Sequence, residues 1–231
     1  MTILKKCPVP AKSGLLSGLT YIESRSLMAS LGVTAIAYAK GEYVITKRDK
    51  MQDFFLIVSG EVHAYGEHSD GKRTVTMVAG PGDTFGLLFA YSDLTTHPST
   101  AMAVRDTVIL RFPRIDIARY QRTLDSHIMR TFIGNIVTVM SRAAYRARFK
   151  AFIVEHQTIA SRVSAYLFHI SSMCGKKEFD IPLDRKELAD FINADRSALS
   201  VVLSKMKAEG LIEYRKSHFV IKKDLCCDRY V

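Results

Sequence analysis

The stretch DRSALSVVLSKMKAEGLIEY, residues 195–214, decides how the chain is read. Leu199, Val202, Leu203 and Met206 fall at i, i+3, i+4 and i+7, the spacing of a helix with one buried face. Asp195 stands where an N-cap acceptor belongs, and Gly210 where a helix stops. At about 100° per residue, Ser197, Val201, Ser204 and Ala208 point away from the buried side, with Arg196 and Ser200 beside them. A face meant for water alone is normally built from Glu and Lys, which favour helix and solubility. Small hydroxyl-bearing residues led by an arginine suit a helix that enters a groove about 12 Å wide.

Just upstream, Asp184-Arg185-Lys186-Glu187 has the D-x-x-E form of a helix start, and Leu188, Ala189 and Ile192 give a short helix its apolar side. Asn193-Ala194 leaves room for a tight connection only, so residues 184–210 read as a helix-turn-helix. Downstream, LIEYRKSHFVIKK (211–223) reads as strand, turn and strand, a basic wing with Arg215-Lys216-Ser217 at its tip. This arrangement assigns DNA contacts by chemistry. Arg196 can give a guanine a bidentate bond, Ser197 and Ser200 can reach base edges or phosphates, and Val201 can sit on a thymine methyl. Lys205 and Lys207 are better placed for phosphates, and Ser204, Arg185, Lys216 and Ser217 are further candidates for DNA contact.

Farther out, residues 157–173 carry a helical stripe of Ile159, Val163, Tyr166, Leu167 and Ile170. Before them a long helix is expected from near Asp125, with no proline until Pro182. Its apolar residues Met129, Phe132, Ile136, Val139, Met140, Ala143 and Ala147 recur at three and four, which suits a seam with a second helix. The alternative is that this stripe packs on its own domain. Between residues 32 and 113 the texture is that of strands. Segments 42–46, 54–58, 62–65, 74–78 and 108–112 are β-branched or aromatic, and glycine-bearing turns separate them. Asp70-Gly71 is a hairpin candidate, residues 15–31 give one or two short helices, and 114–123 another. The expected domains are 1–123, a sensing barrel; 124–154, a dimerisation helix; and 155–231, a winged helix-turn-helix.

Composition is consistent with this. The chain has 231 residues, 48% hydrophobic and 24% charged, as in ordinary soluble domains. No apolar run reaches the 18–20 or so residues of a membrane span, and MTILKK leads into no secretory core, so a cytoplasmic protein is expected. The net charge of +10 points to a polyanion, nucleic acid or membrane surface, and the 195–214 helix favours DNA. Cys7, Cys174, Cys226 and Cys227 lack metal-ligand spacing, and no metal or cofactor is expected. A cupin-like metal enzyme would need converging histidines. His63 and His68, five apart, do not converge on one strand face. A ligand-binding module that has lost DNA readout is the other alternative, favoured only by Val201.

FFLIVSGEVHAY (54–65), the Asp70-Gly71 turn, GPGDTFG (80–86) and RKELADFINADRSALSVVLSKMKAEGLIEY (185–214) together resemble the Crp-Fnr family of bacterial transcription regulators, over roughly residues 15–223. The resemblance implies an α+β chain: an antiparallel jelly-roll barrel, a long dimerisation helix and a winged helix-turn-helix. It further implies a homodimer on double-stranded DNA with two-fold half-sites about 34 Å apart, and an effector held between barrel and helix. RNA polymerase is a possible further partner of such a regulator. Three departures matter. Cyclic-nucleotide members carry Gly-Glu-Leu and Arg-Ser, where this chain has Gly86-Leu87-Leu88 and Ser99-Thr100, so a small-molecule effector other than cyclic AMP is expected. Iron-sulfur members use several N-terminal cysteines, and Cys7 stands alone there. Many members place a glutamate and a second arginine where Ser197 and Val201 stand. The implied pocket is Phe85, Gly86, Leu87, Leu88, Phe89, Tyr91, Ser99 and Thr100, an apolar set with hydroxyls, with Arg148 available for an acidic group. The alternative is that these residues fill the barrel. For a haem, the available ligands are His63, His97 and Met102.

Overall fold

The computed structural model describes residues 13–50, 52–67, 73–115, 126–223 and 225. They form two compact units, Met1–Arg142 and Ala143–Val231. The first starts with a 3-10 turn at Gly14–Leu16 and helix α1, Tyr21–Ser30, whose N-terminus is closed by a capping box between Thr20 and Glu23. The strands are β1 (Thr34–Tyr38), β2 (Tyr43–Ile45), β3 (Asp53–Ser59), β4 (Val62–Glu67), β5 (Arg73–Ala79), β6 (Thr84–Phe85), β7 (Thr100–Ala103) and β8 (Thr107–Pro113). A single helical turn, α2 (Leu87–Ala90), joins β6 to β7. The strands pair antiparallel in two sheets, β1-β8-β3-β6 and β2-β7-β4-β5.

Strand β3, DFFLIVS, explains the layering. Phe55 and Ile57 join Ile45, Val62, Ala64, Ala79 and Ala101 of the second sheet in one cluster, with Phe85 and Ile109. Phe54 and Leu56 face the other way, onto Leu15, Leu27 and Met28 and onto Ile128, Met129 and Phe132 of the long helix α3 (Ser126–Glu155). The central sheet is thus buried on both sides, between its partner sheet and a helical layer. Burial of each such Phe or Leu stabilises by roughly 1.5–3 kcal/mol. Asn135 fixes the helix further, its amide donating to the carbonyls of Leu15 at 3.0 Å and Ser17 at 2.7 Å.

In the second unit, α3 from Ala143 onward is followed by α4 (Ile159–Cys174), β9 (Glu178–Asp180), α5 (Arg185–Phe191), α6 (Arg196–Ala208), β10 (Ile212–Arg215) and β11 (His218–Ile221). The small sheet has the order β10-β11-β9, and the core joins Ile153, Val163, Leu167, Leu188, Ile192, Leu199, Leu203, Met206 and Phe219. No helix among the described residues is long and apolar enough to cross a membrane.

All five strands expected from the sequence form, with ends shifted by no more than two residues, while β1, β6 and β7 were not anticipated. The two units divide within the long helix, at Arg142/Ala143. Its apolar stripe is largely spent inside the first unit. Met129 and Phe132 are buried in that unit's core, and Ile136, Val139 and Met140 pack against it. Periodicity identifies an apolar face but not the surface that covers it. Asp70-Gly71, residues 116–123 of the expected short helix, Asp125, His68, Cys7, Cys226 and Cys227 lie outside the described residues. Arg114 and Ile115 are not helical.

Candidate nucleic-acid interface

Helix α5 begins as its sequence requires. The Asp184 carboxylate accepts from the Glu187 amide at 2.8 Å, and Glu187 accepts in return from the Asp184 amide at 2.7 Å. Asn193 then turns the chain through a left-handed conformation, φ 54°, and the Ala194 amide bonds back to Ala189 at 2.9 Å. Asp195 caps α6 by accepting from the amides of Ser197 at 2.8 Å and Ala198 at 3.1 Å, and from the Ser197 hydroxyl. These bonds, the hydroxyl's foremost, hold the Asp195 carboxyl below its ordinary pKa, so it stays charged at the positive end of the helix. At the other end, Gly210 (φ 68°) completes a Schellman turn, its amide donating to Lys207 and that of Leu211 to Met206, both at 3.0 Å.

Arg162 of α4 holds the turn of the motif, a role the sequence did not disclose. Its Nη1 donates to the carbonyls of Ile192 at 3.3 Å and Asn193 at 3.0 Å, while Nε donates to His156 at 2.8 Å. These bonds tie the α5–α6 turn to the start of α4, thirty residues away in the chain.

The inner face of α6 is closed, with Leu199 and Leu203 fully buried and Met206 nearly so. The outer face is open. Arg196, Ser197, Ser200, Ser204, Lys205 and Lys207 are exposed, and Val201 is 69% exposed. Lys205 lies 3.9 Å from Glu209 on the helix surface. Tyr214 of β10 locks the wing to the motif. The Arg185 guanidinium lies 5.0 Å from its ring centroid and the Lys207 ammonium 5.6 Å, and its hydroxyl is 3.5 Å from Ser204 Oγ.

Two of the expected DNA contacts are therefore occupied within the chain. Arg185 is half-buried against Tyr214, with Nη2 donating to the Lys216 carbonyl at 3.5 Å. Ser217 donates to the Leu183 carbonyl at 3.0 Å. Lys216 (φ 55°) and Arg215 remain exposed at the turn between β10 and β11.

The expected effector residues do not all meet. Gly86 (φ 78°) stands at the N-cap of α2. Phe85 is stacked on Phe55, centroids 4.9 Å apart, in the cluster between the sheets, whereas Leu87 is buried in the core that includes the long helix. Leu88 and Phe89 are exposed, Ser99 is half-buried and Thr100 is buried in β7. The Tyr91 hydroxyl accepts from the Ile115 amide at 3.2 Å, and burial pushes its pKa up. Arg148 belongs to the second unit, where it lines an open concavity of about 500 Å³ with Tyr145, Phe149, Phe152, Glu155 and His169. His63 and Met102 are cross-strand neighbours, side by side on one face of the sheet, and His63 Nε2 is 2.7 Å from Glu61. His97 is buried, which lowers its pKa.

Comparison with known proteins agrees with this two-part arrangement. Residues 35–123 match the cyclic nucleotide-binding domain, and residues 161–225 the Crp-like helix-turn-helix domain. The chain is 23% identical over 184 residues to the nitrogen fixation regulation protein FixK of Rhizobium meliloti, covering 79% of this chain and 80% of that protein. It is 25% identical over 175 residues to the cyclic AMP receptor protein of Thermus thermophilus, covering 76% and 77% respectively. The crystal structure of Thermus thermophilus catabolite activator protein shares the fold, with a TM-score of 0.52 and 24% identity over 90% of this chain and 93% of that one. Regulators of this kind bind DNA and act as dimers; they are not enzymes. With both domains matched in order, the chain belongs to the Crp-Fnr family of transcription regulators.

Proposed function

We propose that this chain is a cytoplasmic, homodimeric regulator that reads a two-fold DNA site with α6 and responds to a small molecule other than cyclic AMP. The observation that carries the reading is the outer face of α6: open, with the small side chains of Ser197, Ser200 and Val201 exposed, and led by Arg196. Arg196 reads guanine, Val201 meets a thymine methyl, and Lys205, Lys207, Arg215 and Lys216 neutralise phosphates. A regulator so placed on DNA would also meet RNA polymerase.

For the pairing of chains, the side of α3 not used by its own unit is the better candidate. Gly134, Val137, Thr138 and Ser141 are exposed and recur at three and four, and Val137 is 58% exposed. Small residues let two helices approach closely. Val137→Glu should place like charges across such a seam. Sedimentation is expected to find the wild type as a dimer at micromolar concentration and the variant as single chains, with DNA affinity lost along with the pairing. Unchanged association would exclude this face.

Exclusion of cyclic AMP rests on the cassette. Leucine has no acceptor for a ribose hydroxyl, and no arginine stands at Ser99-Thr100 to neutralise a cyclic phosphate. Leu87 is moreover committed to the core, so its position is structural. Titration with cyclic AMP is expected to give no heat and to leave DNA affinity unchanged. Saturable binding that strengthens DNA affinity would reverse this part of the reading.

A further inference from the structure

We infer that Ser197 and Ser200 read amino groups on base edges, and so favour adenine or cytosine over guanine or thymine on the strand they face. The inference rests on the reading of α6 as a DNA-reading helix and deepens it.

The argument is one of donors and acceptors. A serine hydroxyl has one hydrogen to give and two lone pairs to receive. The Ser200 hydroxyl lies 2.9 Å from the Arg196 carbonyl, and that of Ser204 lies 2.9 Å from the Ser200 carbonyl. A carbonyl oxygen can only accept, so both serines are donating. Ser197 Oγ is bonded to the Asp195 carboxylate, which likewise can only accept. All three hydrogens are therefore committed, and what these hydroxyls turn outward is lone pairs. Ser204 is further engaged by the Tyr214 hydroxyl at 3.5 Å, which leaves Ser197 and Ser200 as the exposed acceptors.

Phosphate oxygens are also acceptors, so neither serine can bind the backbone without first breaking a bond. At Ser197 the adjoining Asp195 charge repels phosphate as well. In the major groove the donors are the N6 amino group of adenine and the N4 amino group of cytosine, whereas guanine O6 and thymine O4 present lone pairs. Val201, one turn beyond Ser197 and next to Ser200, adds a methyl-sized contact. The reading face therefore combines one strong donor, Arg196, with two acceptors and an apolar flank. Asp195 has a second use here: by drawing the Ser197 hydrogen inward it fixes that side chain as an acceptor.

The test uses the full-length protein and a Ser197→Ala/Ser200→Ala double variant, each selecting duplexes from a random pool. Alanine favours helix, and the Asp195 cap keeps its bonds to the Ser197 and Ala198 amides, so the variant should melt as the wild type does. Wild type is expected to enrich adenine or cytosine beside the guanine read by Arg196. The double variant should keep the guanine and lose that preference. Replacing the enriched adenine by purine, or the enriched cytosine by its counterpart without the N4 amino group, should weaken wild-type binding roughly three- to tenfold and leave the double variant unaffected. If the double variant instead loses affinity equally on selected and random DNA, the serines bind phosphate and the inference fails while the regulator reading stands. Failure of the wild type to enrich any sequence would overturn both.

Discussion

Gly60→Ala is expected to destabilise the first unit by about 2–6 kcal/mol, enough to unfold a typical domain at moderate temperature. Two effects combine. Gly60 has φ +88°, a conformation that costs a residue with a Cβ roughly 1–3 kcal/mol. The added Cβ would also lie 2.3 Å from Thr107 Oγ1, 2.5 Å from the Asp106 carbonyl oxygen and 2.6 Å from Thr107 Cα. Two of these three atoms are backbone, and overpacking of this kind typically costs another 1–3 kcal/mol. Thr107 has nowhere to go. Its hydroxyl donates to Arg105 at 2.7 Å and accepts from the Glu61 amide at 3.1 Å, and its strand β8 is paired on both sides, with β1 and β3. Gly80→Ala is the matched control, because its φ is ordinary and no atom lies within 4 Å of the added carbon. Urea unfolding should separate the pair widely, with Gly80→Ala near wild type.

Arg196→Ala is expected to weaken binding to the specific site by about 1–3 kcal/mol, roughly five- to 150-fold, and to relax preference at the guanine it reads. Arg196 is the long cation of the first turn of α6, exposed, with no ion pair among the described residues. It loses nothing structural on truncation. Lys205→Ala supplies the contrast, since a phosphate contact is worth the same on any sequence. That variant should weaken binding to selected and random DNA alike and reduce the salt slope by about one. If Arg196→Ala behaved like Lys205→Ala, Arg196 would be a backbone contact and specificity would have to come from the serines and Val201.

The helix-turn-helix was legible in the sequence because its signals are local. Asp184, Glu187, Asp195 and Gly210 act within four residues of their own position, and each does in the structure what its placement predicts. The missed strands fail the same criterion. Thr100–Ala103 reads TAMA, and alanine has little preference for a strand; β7 exists because Ala101 pairs with Ala64 of β4 and Ile45 of β2. Thr84–Phe85 is likewise a strand only by pairing with β3. Arg162 is not legible because the two turn carbonyls it holds lie thirty residues on, and the place of Arg185 is not legible because nothing local reveals Tyr214 beneath it. The stripe of α3 has a related limit: the period of Met129 and Phe132 marks an apolar face, while the residues packed on it come from β3, β8 and α1.

The central claim, that paired chains present two α6 faces to successive major grooves, is tested most directly by hydroxyl-radical footprinting on a duplex enriched from a random pool. The account predicts two protected patches on one face of the DNA, related by two-fold symmetry and about 34 Å apart, both lost with Arg196→Ala. A single patch, or uniform protection that Arg196→Ala leaves intact, would contradict it.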